Sequence, residues 1–117
     1  MKKVVLPNSI RDVNNAFSNC TSLEEINIPE SVTSITRNFC NGAKLSSIEL
    51  PIGITNISGN AFGYCGQLKT LTILNKNIEI ASNGFYLCNA INTINYSGTV
   101  EEWNNNPHLV SRFGTAT

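Results

Sequence analysis

The phenylalanines of this chain recur at an almost constant interval, and no other feature limits its possible folds so tightly. Phe17, Phe39, Phe62 and Phe85 are 22, 23 and 23 residues apart. Around them stand Ala16-Phe17-Ser18-Asn19-Cys20-Thr21-Ser22-Leu23, Asn38-Phe39-Cys40-Asn41-Gly42-Ala43-Lys44-Leu45, Ala61-Phe62-Gly63-Tyr64-Cys65-Gly66-Gln67-Leu68 and Gly84-Phe85-Tyr86-Leu87-Cys88-Asn89-Ala90-Ile91. Each block ends in an aliphatic residue six places after its Phe, and that residue opens a second pattern, apolar at its first, fourth and sixth positions. The triplets are Leu23, Ile26 and Ile28; Leu45, Ile48 and Leu50; Leu68, Leu71 and Ile73; and Ile91, Ile94 and Tyr96, with Met1, Val4 and Leu6 in the same frame. A repeat of this length is one supersecondary unit that cannot bury its apolar face alone, so the units must stack into a solenoid.

Proline follows the triplet at Pro7, Pro29 and Pro51, while Leu74 holds that place in the fourth copy. Proline lacks the N–H that a ladder needs, so each triplet reads as a short strand that stops there. Apolar pairs then mark a second short strand: Ile10 and Val13, Val32 and Ile35, Ile54 and Ile57. The fourth copy, Ile78-Glu79-Ile80, implies a register shifted by a local bulge. Strand, turn, second strand and aromatic-bearing return make one coil. Equivalent positions in successive coils then lie about 4.8 Å apart, the strand spacing of a sheet. The Phe ladder and the aliphatic triplets are the expected core.

The C-terminal end carries a different signal. Thr99-Val100-Glu101-Glu102 reads as a capping box, with Thr99 as N-cap and Glu102 at the third helical position. It opens a short helix, Val100 to Asn105, that ends before Pro107. Trp103 on that helix is placed to cover the open end of the core. Residues 107–117 read as a polar tail.

Taken together, a Leu-x-x-Ile-x-Ile-Pro strand, a Val-Thr-Ser-Ile-like strand and an Ala-Phe-x-x-Cys-x-x-Leu return resemble the BspA-like leucine-rich repeats of bacterial surface proteins. Thr33-Ser34-Ile35, Ala61-Phe62-Gly63-Tyr64-Cys65 and the ending Ile94 to Trp103 are especially similar, and the resemblance covers residues 1 to 106. The second repeat departs from the pattern, with Gly42 in the usual Cys position and Cys40 two residues early. The first two repeats are each a residue short before Phe. The expected fold is a leucine-rich-repeat solenoid, mainly β, with short parallel strands stacked in 22- to 23-residue coils and a short C-terminal capping helix. Four repeats start at residues 1, 23, 45 and 68, a final strand occupies 91–96, the cap helix 97–106 and the tail 107–117. The resemblance implies an adhesin-like or ligand-binding interaction module at the cell surface or secreted.

Composition narrows the chemistry. The chain has 117 residues with 8 basic and 8 acidic side chains, net charge zero, and no basic cluster, so the electrostatic footprint of nucleic-acid binding is missing. No apolar run approaches the roughly 18 residues that span a bilayer. Lys2 and Lys3 precede a short apolar stretch, but Pro7, Asn8 and Ser9 end it before a signal-peptide core can form, and no export signal is expected in the chain as given. The only histidine, His108, lies in the tail with no Ser or Cys assigned to it as a partner. Glu24 and Glu25 are adjacent on a strand, where neighbouring side chains diverge, so they do not form a glycosidase-type carboxylate pair. No catalytic residue, cofactor or metal site is expected. Of four cysteines, Cys20, Cys65 and Cys88 each lie three residues after their Phe, so they are ladder positions before anything else. Cys20 and Cys65 are two coils apart, beyond disulfide reach. Cys65 and Cys88 are close enough, but parallel Cβ vectors disfavour the bond, and no Cys-x-x-Cys spacing offers a zinc site.

What remains is surface. The outward columns of the first-strand sheet run Lys2, Glu24, Ser46, Lys69, Asn92; Lys3, Glu25, Ser47, Thr70, Thr93; and Val5, Asn27, Glu49, Thr72, Asn95. This polar face is the candidate binding site, suited to an extended polypeptide or a glycan, and equally readable as a sheet that merely meets solvent. Lys2 over Glu24 and Lys3 over Glu25 are expected opposite-charge pairs. Because Met1 falls at the head of a triplet, the array opens without an N-terminal cap. The alternative role is therefore a structural one, self-association through that edge, or a place within a longer array.

Overall fold

The computed structural model describes residues 2–11, 13, 17 and 19–117. Its strands are β1 (Lys3–Val5), β2 (Glu25–Asn27), β3 (Ser34–Ile35), β4 (Ser47–Leu50), β5 (Asn56–Ile57), β6 (Thr70–Ile73), β7 (Glu79–Ile80) and β8 (Thr93–Tyr96), followed by helices α1 (Val100–Asn104) and α2 (Pro107–Phe113). Every pairing is parallel. β1 pairs with β2, and β4, β6 and β8 pair in that order; these five are the expected triplet strands. The second strands of the coils form a separate sheet, β3-β5-β7. The chain is thus a β-solenoid; Met1, Asp12, residues 14–16 and Ser18 lie outside the described residues, and of the first expected second strand Val13 is buried in the core with Ile10 packed against it.

Alternation along each strand explains which side faces in. In β4, Ile48 and Leu50 are buried while Ser47 and Glu49 are exposed, the period of two that a pleated strand imposes. Proline then stops the strand and begins the turn: the carbonyls of Pro7, Pro29 and Pro51 accept from the N–H of Ile10, Val32 and Ile54. Where Leu74 replaces proline, its N–H is available, and it extends the ladder by donating to Leu50 O at 3.2 Å. Gly53 is required in the third turn, since a Cβ there would meet Glu30 O at 2.9 Å. In the fourth coil Ile57 pairs with Ile80 with no shift of register. Ile78 is buried one place later along its coil than Ile54, so the irregularity sits ahead of β7 and no bulge interrupts the pairing.

The core is one column of side chains per coil position. Phe39, Phe62 and Phe85 are fully buried, and ring centroids step 5.7 Å from Phe17 to Phe39, 5.9 Å to Phe62 and 5.3 Å to Phe85. The first two contacts are edge-to-face and the third is stacked, both favourable for aromatic quadrupoles. Return segments are also bonded to one another through the backbone, as in Phe17 N to Phe39 O, Cys40 N to Ala61 O and Phe62 N to Gly84 O.

Residues 107–117 are not a polar tail. Asn106 caps a second helix, Pro107 stands at its first position, and Leu109 and Phe113, four apart on one face, pack onto the last coil. Phe113 continues the ladder at 6.0 Å from Phe85, and Trp103 and Tyr96 extend it across the cap at 6.1 and 5.2 Å. Pro107 stops the first helix as its spacing predicts, and with Asn106 it also starts the second. The capping box at α1 is formed: Glu102 N donates to Thr99 Oγ1 and Thr99 N to Glu102 Oε1, both at 3.0 Å. Trp103 is buried and donates from Nε1 to Gly114 O at 2.8 Å.

Asn106 joins cap to coil. Its amide nitrogen donates to the carbonyls of Ile78 and Lys76, and its amide oxygen accepts from the N–H groups of His108 and Leu109. Asn106→Ala is expected to lower stability by about 2 to 4 kcal/mol, the sum of a lost N-cap and an orphaned Ile78 carbonyl, while Lys76 O keeps its bond from the Tyr96 hydroxyl. Asn106→Asp should fail to rescue it despite being a good N-cap, because a carboxylate cannot donate to Ile78 and Lys76; urea denaturation of the two variants checks this. Phe62→Ala should cost roughly 3 to 5 kcal/mol. Thermal melts in which Phe62→Ala matched the parent chain would remove the ladder from the core.

Candidate binding face

The twelve residues expected to line the outer sheet face are all brought to one side of the solenoid. Ser47, Thr70 and Thr93 stand in register, as do Glu49, Thr72 and Asn95 one pleat further on. Glu25 and Asn27 extend the same two rows on β2, opposite Lys3 and Val5. Glu24, Ser46, Lys69 and Asn92 stand immediately before each strand and form an exposed margin; Lys69 N bonds Ser46 O at 2.9 Å and Asn92 N bonds Lys69 O at 3.0 Å. Thr70 and Thr72 are half-buried by their neighbours, and the other ten are exposed.

The face is held by weak, solvent-accessible contacts. Lys3 Nζ lies 3.7 Å from Glu25, with both side chains about two thirds exposed at 67% and 68%. Such a pair contributes at most about 1 kcal/mol. Among the described residues no ion pair joins Lys2 to Glu24, so of the two pairs expected only one forms. Both residues are exposed and lie just ahead of the paired strands β1 and β2. Asn95 Nδ2 bonds Thr72 Oγ1 at 3.4 Å and Asn27 Oδ1 accepts from Leu6 N at 2.9 Å. Val5, 70% exposed, is the large apolar side chain on the face, and no aromatic ring projects from it.

Other cavities lie at the cap. A cleft of about 360 Å³ is lined by Ile94, Tyr96, Val100, Trp103 and Phe113. A polar one of about 310 Å³ holds Lys76, Glu79, Glu102 and His108. Lys76 Nζ is 2.7 Å from Glu102, and that hydrogen bond, with the Thr99 N–H, holds the Glu102 carboxyl below the usual carboxylate range. His108 is half-buried at the start of α2, not solvated in a tail. Among the described residues no three His, Cys, Asp or Glu side chains come together as metal ligands. No described helix is long and apolar enough to cross a membrane.

All four cysteines are free thiols. Cys40, Cys65 and Cys88 are buried; Cys65 Sγ donates to Cys40 O at 3.3 Å and Cys88 Sγ to Phe62 O at 2.9 Å. Burial, aided by Cys20, pushes the Cys40 thiol up, and a hydrogen bond with Cys88 followed by burial does the same for Cys65. Both are poor nucleophiles as a result. Iodoacetamide under native conditions at about pH 8 should label Cys20 alone, and all four thiols in urea. A native adduct on Cys65, detected by peptide mass spectrometry, would contradict this packing.

The BspA type leucine-rich repeat region matches in six copies across residues 1–108. The chain belongs to this family. Its solenoid is similar to that of a leucine-rich cell surface protein from Faecalibacterium prausnitzii A2-165, with a TM-score of 0.77 and 33% identity over 89% of this chain. The aligned part is 28% of that protein, so the chain spans well under a third of its length. A leucine-rich repeat protein from Bacteroides ovatus ATCC 8483 aligns over 80% of this chain and 37% of its own at 24% identity, with a TM-score of 0.42. Comparison with curated proteins gives no significant match. Leucine-rich repeat families are typically non-catalytic interaction modules, and this chain carries the BspA-type repeat.

Proposed function

We propose that this BspA-type module is a non-catalytic adhesin-like domain, displayed at a cell surface, that binds an extended polypeptide across its first-strand face. The observation that carries this reading is the pair of unbroken polar rows Ser47-Thr70-Thr93 and Glu49-Thr72-Asn95, in register over three coils. A chain laid across such rows meets a hydroxyl, amide or carboxylate at every coil, about 4.8 Å apart. Lys3 engages Glu25, and among the described residues Glu24 and Glu49 are in no ion pair, which leaves carboxylates available at the β2 and β4 end, while Lys69 is the basic residue of the β6 margin. The cell-surface assignment rests on the family and on the stated location of the Faecalibacterium prausnitzii protein.

A random peptide library panned against the protein tests it. Enriched peptides should be extended and carry basic residues, and should lose at least roughly tenfold in affinity, about 1.4 kcal/mol, on Glu25→Lys/Glu49→Lys/Thr72→Lys. Each of the three sites is at least partly exposed, so the fold should survive the change. Peptides that bind the triple variant as well as the parent would place recognition elsewhere.

A further inference from the structure

We propose that Tyr64, Tyr86 and Leu87 form a second binding site, on the return side of the coils, for an uncharged glycan. This site is separate from the first-strand face and does not depend on the reading of that face.

The first observation is backbone strain without a packing reason. The residue two places after the ladder Phe is left-handed in the first, third and fourth coils: Asn19 at φ 61°, Tyr64 at 60° and Leu87 at 58°. In the second coil Gly42, one place later, takes that conformation at 82°. Asn and Gly enter this region readily, whereas bulky side chains are disfavoured there by contact of Cβ with the backbone. The third and fourth coils therefore hold the worst-suited residue types at a turn that Asn or Gly would fill without strain. Neither side chain is used inside: Tyr64 is 53% exposed and Leu87 45%.

The second observation is what those positions display. Tyr86, 48% exposed, meets Tyr64 edge-to-face at a centroid distance of 5.6 Å, so the two rings hold each other in place at right angles. Asn41 and Asn60 carry amides beside Gly63, within 3.0 to 3.3 Å of where its Cβ would be. Gly66, two residues after Tyr64, has open space around it. Rigid aromatic faces flanked by neutral amides match a sugar ring, which offers an apolar C–H face and a rim of hydroxyls.

Charge and area select the partner. Residues 50–68 and 80–100 contain no Asp, Glu, Lys, Arg or His. Arg112 reaches the fourth return, but its guanidinium is engaged with Phe85 O at 2.8 Å and the Phe113 ring. The two returns that carry the rings therefore bring no charge of their own, which favours an uncharged ligand over an acidic or basic one. With two half-exposed rings and one leucine, the patch offers on the order of 300 Å². A stable protein interface needs about 800 Å² on each partner, whereas one or two sugar rings are covered by far less.

The test is titration of maltohexaose, cellohexaose and mannohexaose into the full chain, with sialyllactose as the charged control, read by tyrosine-ring NMR shifts. At least one neutral oligosaccharide should shift the Tyr64 and Tyr86 rings. Tyr86→Ser should weaken it roughly tenfold or more, while Tyr86→Phe retains it. Tyr64→Asn should also lose binding with the melting temperature lowered by no more than a few degrees, because Asn19 already occupies the equivalent position. Three results would each overturn the proposal: no ring shift with any neutral sugar at millimolar concentration, equal binding by Tyr86→Ser, or stronger binding of sialyllactose. Dimerisation in sedimentation that Tyr86→Ser abolishes would assign the patch to a second copy of the chain and overturn it as well.

Discussion

No coil of this chain can bury its own apolar face, and everything else in the structure follows from that. A strand, a turn and a return enclose too little volume for a core, so Leu23, Ile48 or Phe62 becomes buried only when the next coil closes over it. The interactions between neighbours are local and repeated: parallel strand pairs on two sides, return-to-return backbone bonds, and a ladder of phenylalanines at 5.3 to 5.9 Å. Stability in such an array is a sum over adjacent coils. Its last coil then needs a different partner, and here that partner is two short helices. Phe113 occupies the place where the next ladder ring would stand, Trp103 and Tyr96 close the side, and Asn106 ties the helices to the carbonyls of the fourth turn.

The same logic explains why so few residues are left for chemistry. The aliphatic triplets, the phenylalanines and three of the four cysteines are consumed by the core. The glutamate of the capping box is consumed by helix α1 and by Lys76. Outside that core the chain places mostly small neutral polar groups with few charges. This fits the membership of the chain in a family of repeat modules that act by interaction.

The outer sheet face was legible residue by residue, because strand alternation and the repeat period together specify which side chain points where. The repeat period alone puts Ser47, Thr70 and Thr93 in one row, since each lies two places after the residue that opens its triplet. The Lys2 and Glu24 pair does not form for the complementary reason: the period predicts adjacency of the two positions, but not the side-chain conformations of two exposed residues ahead of the paired strands. The aromatic patch was not legible. Tyr64, Tyr86 and Leu87 sit in the return, which has neither the period of a strand nor that of a helix, and left-handed backbone at a tyrosine or a leucine is contrary to local preference.

By itself the sequence determined the coil length, the strands, the buried ladder, the capping box and the free state expected of the thiols. All of these are set by spacing, and spacing is a property of the chain. The tertiary structure decided the end of the array. Whether residues 107–113 form a helix depends on an apolar surface for Leu109 and Phe113 to meet, and that surface is assembled from Phe85, Ile80 and Trp103, residues far apart in the chain. A helix of seven residues has too few internal hydrogen bonds to persist without it. The period could say where the coils lie, but only the closed end of the stack could say what covers them.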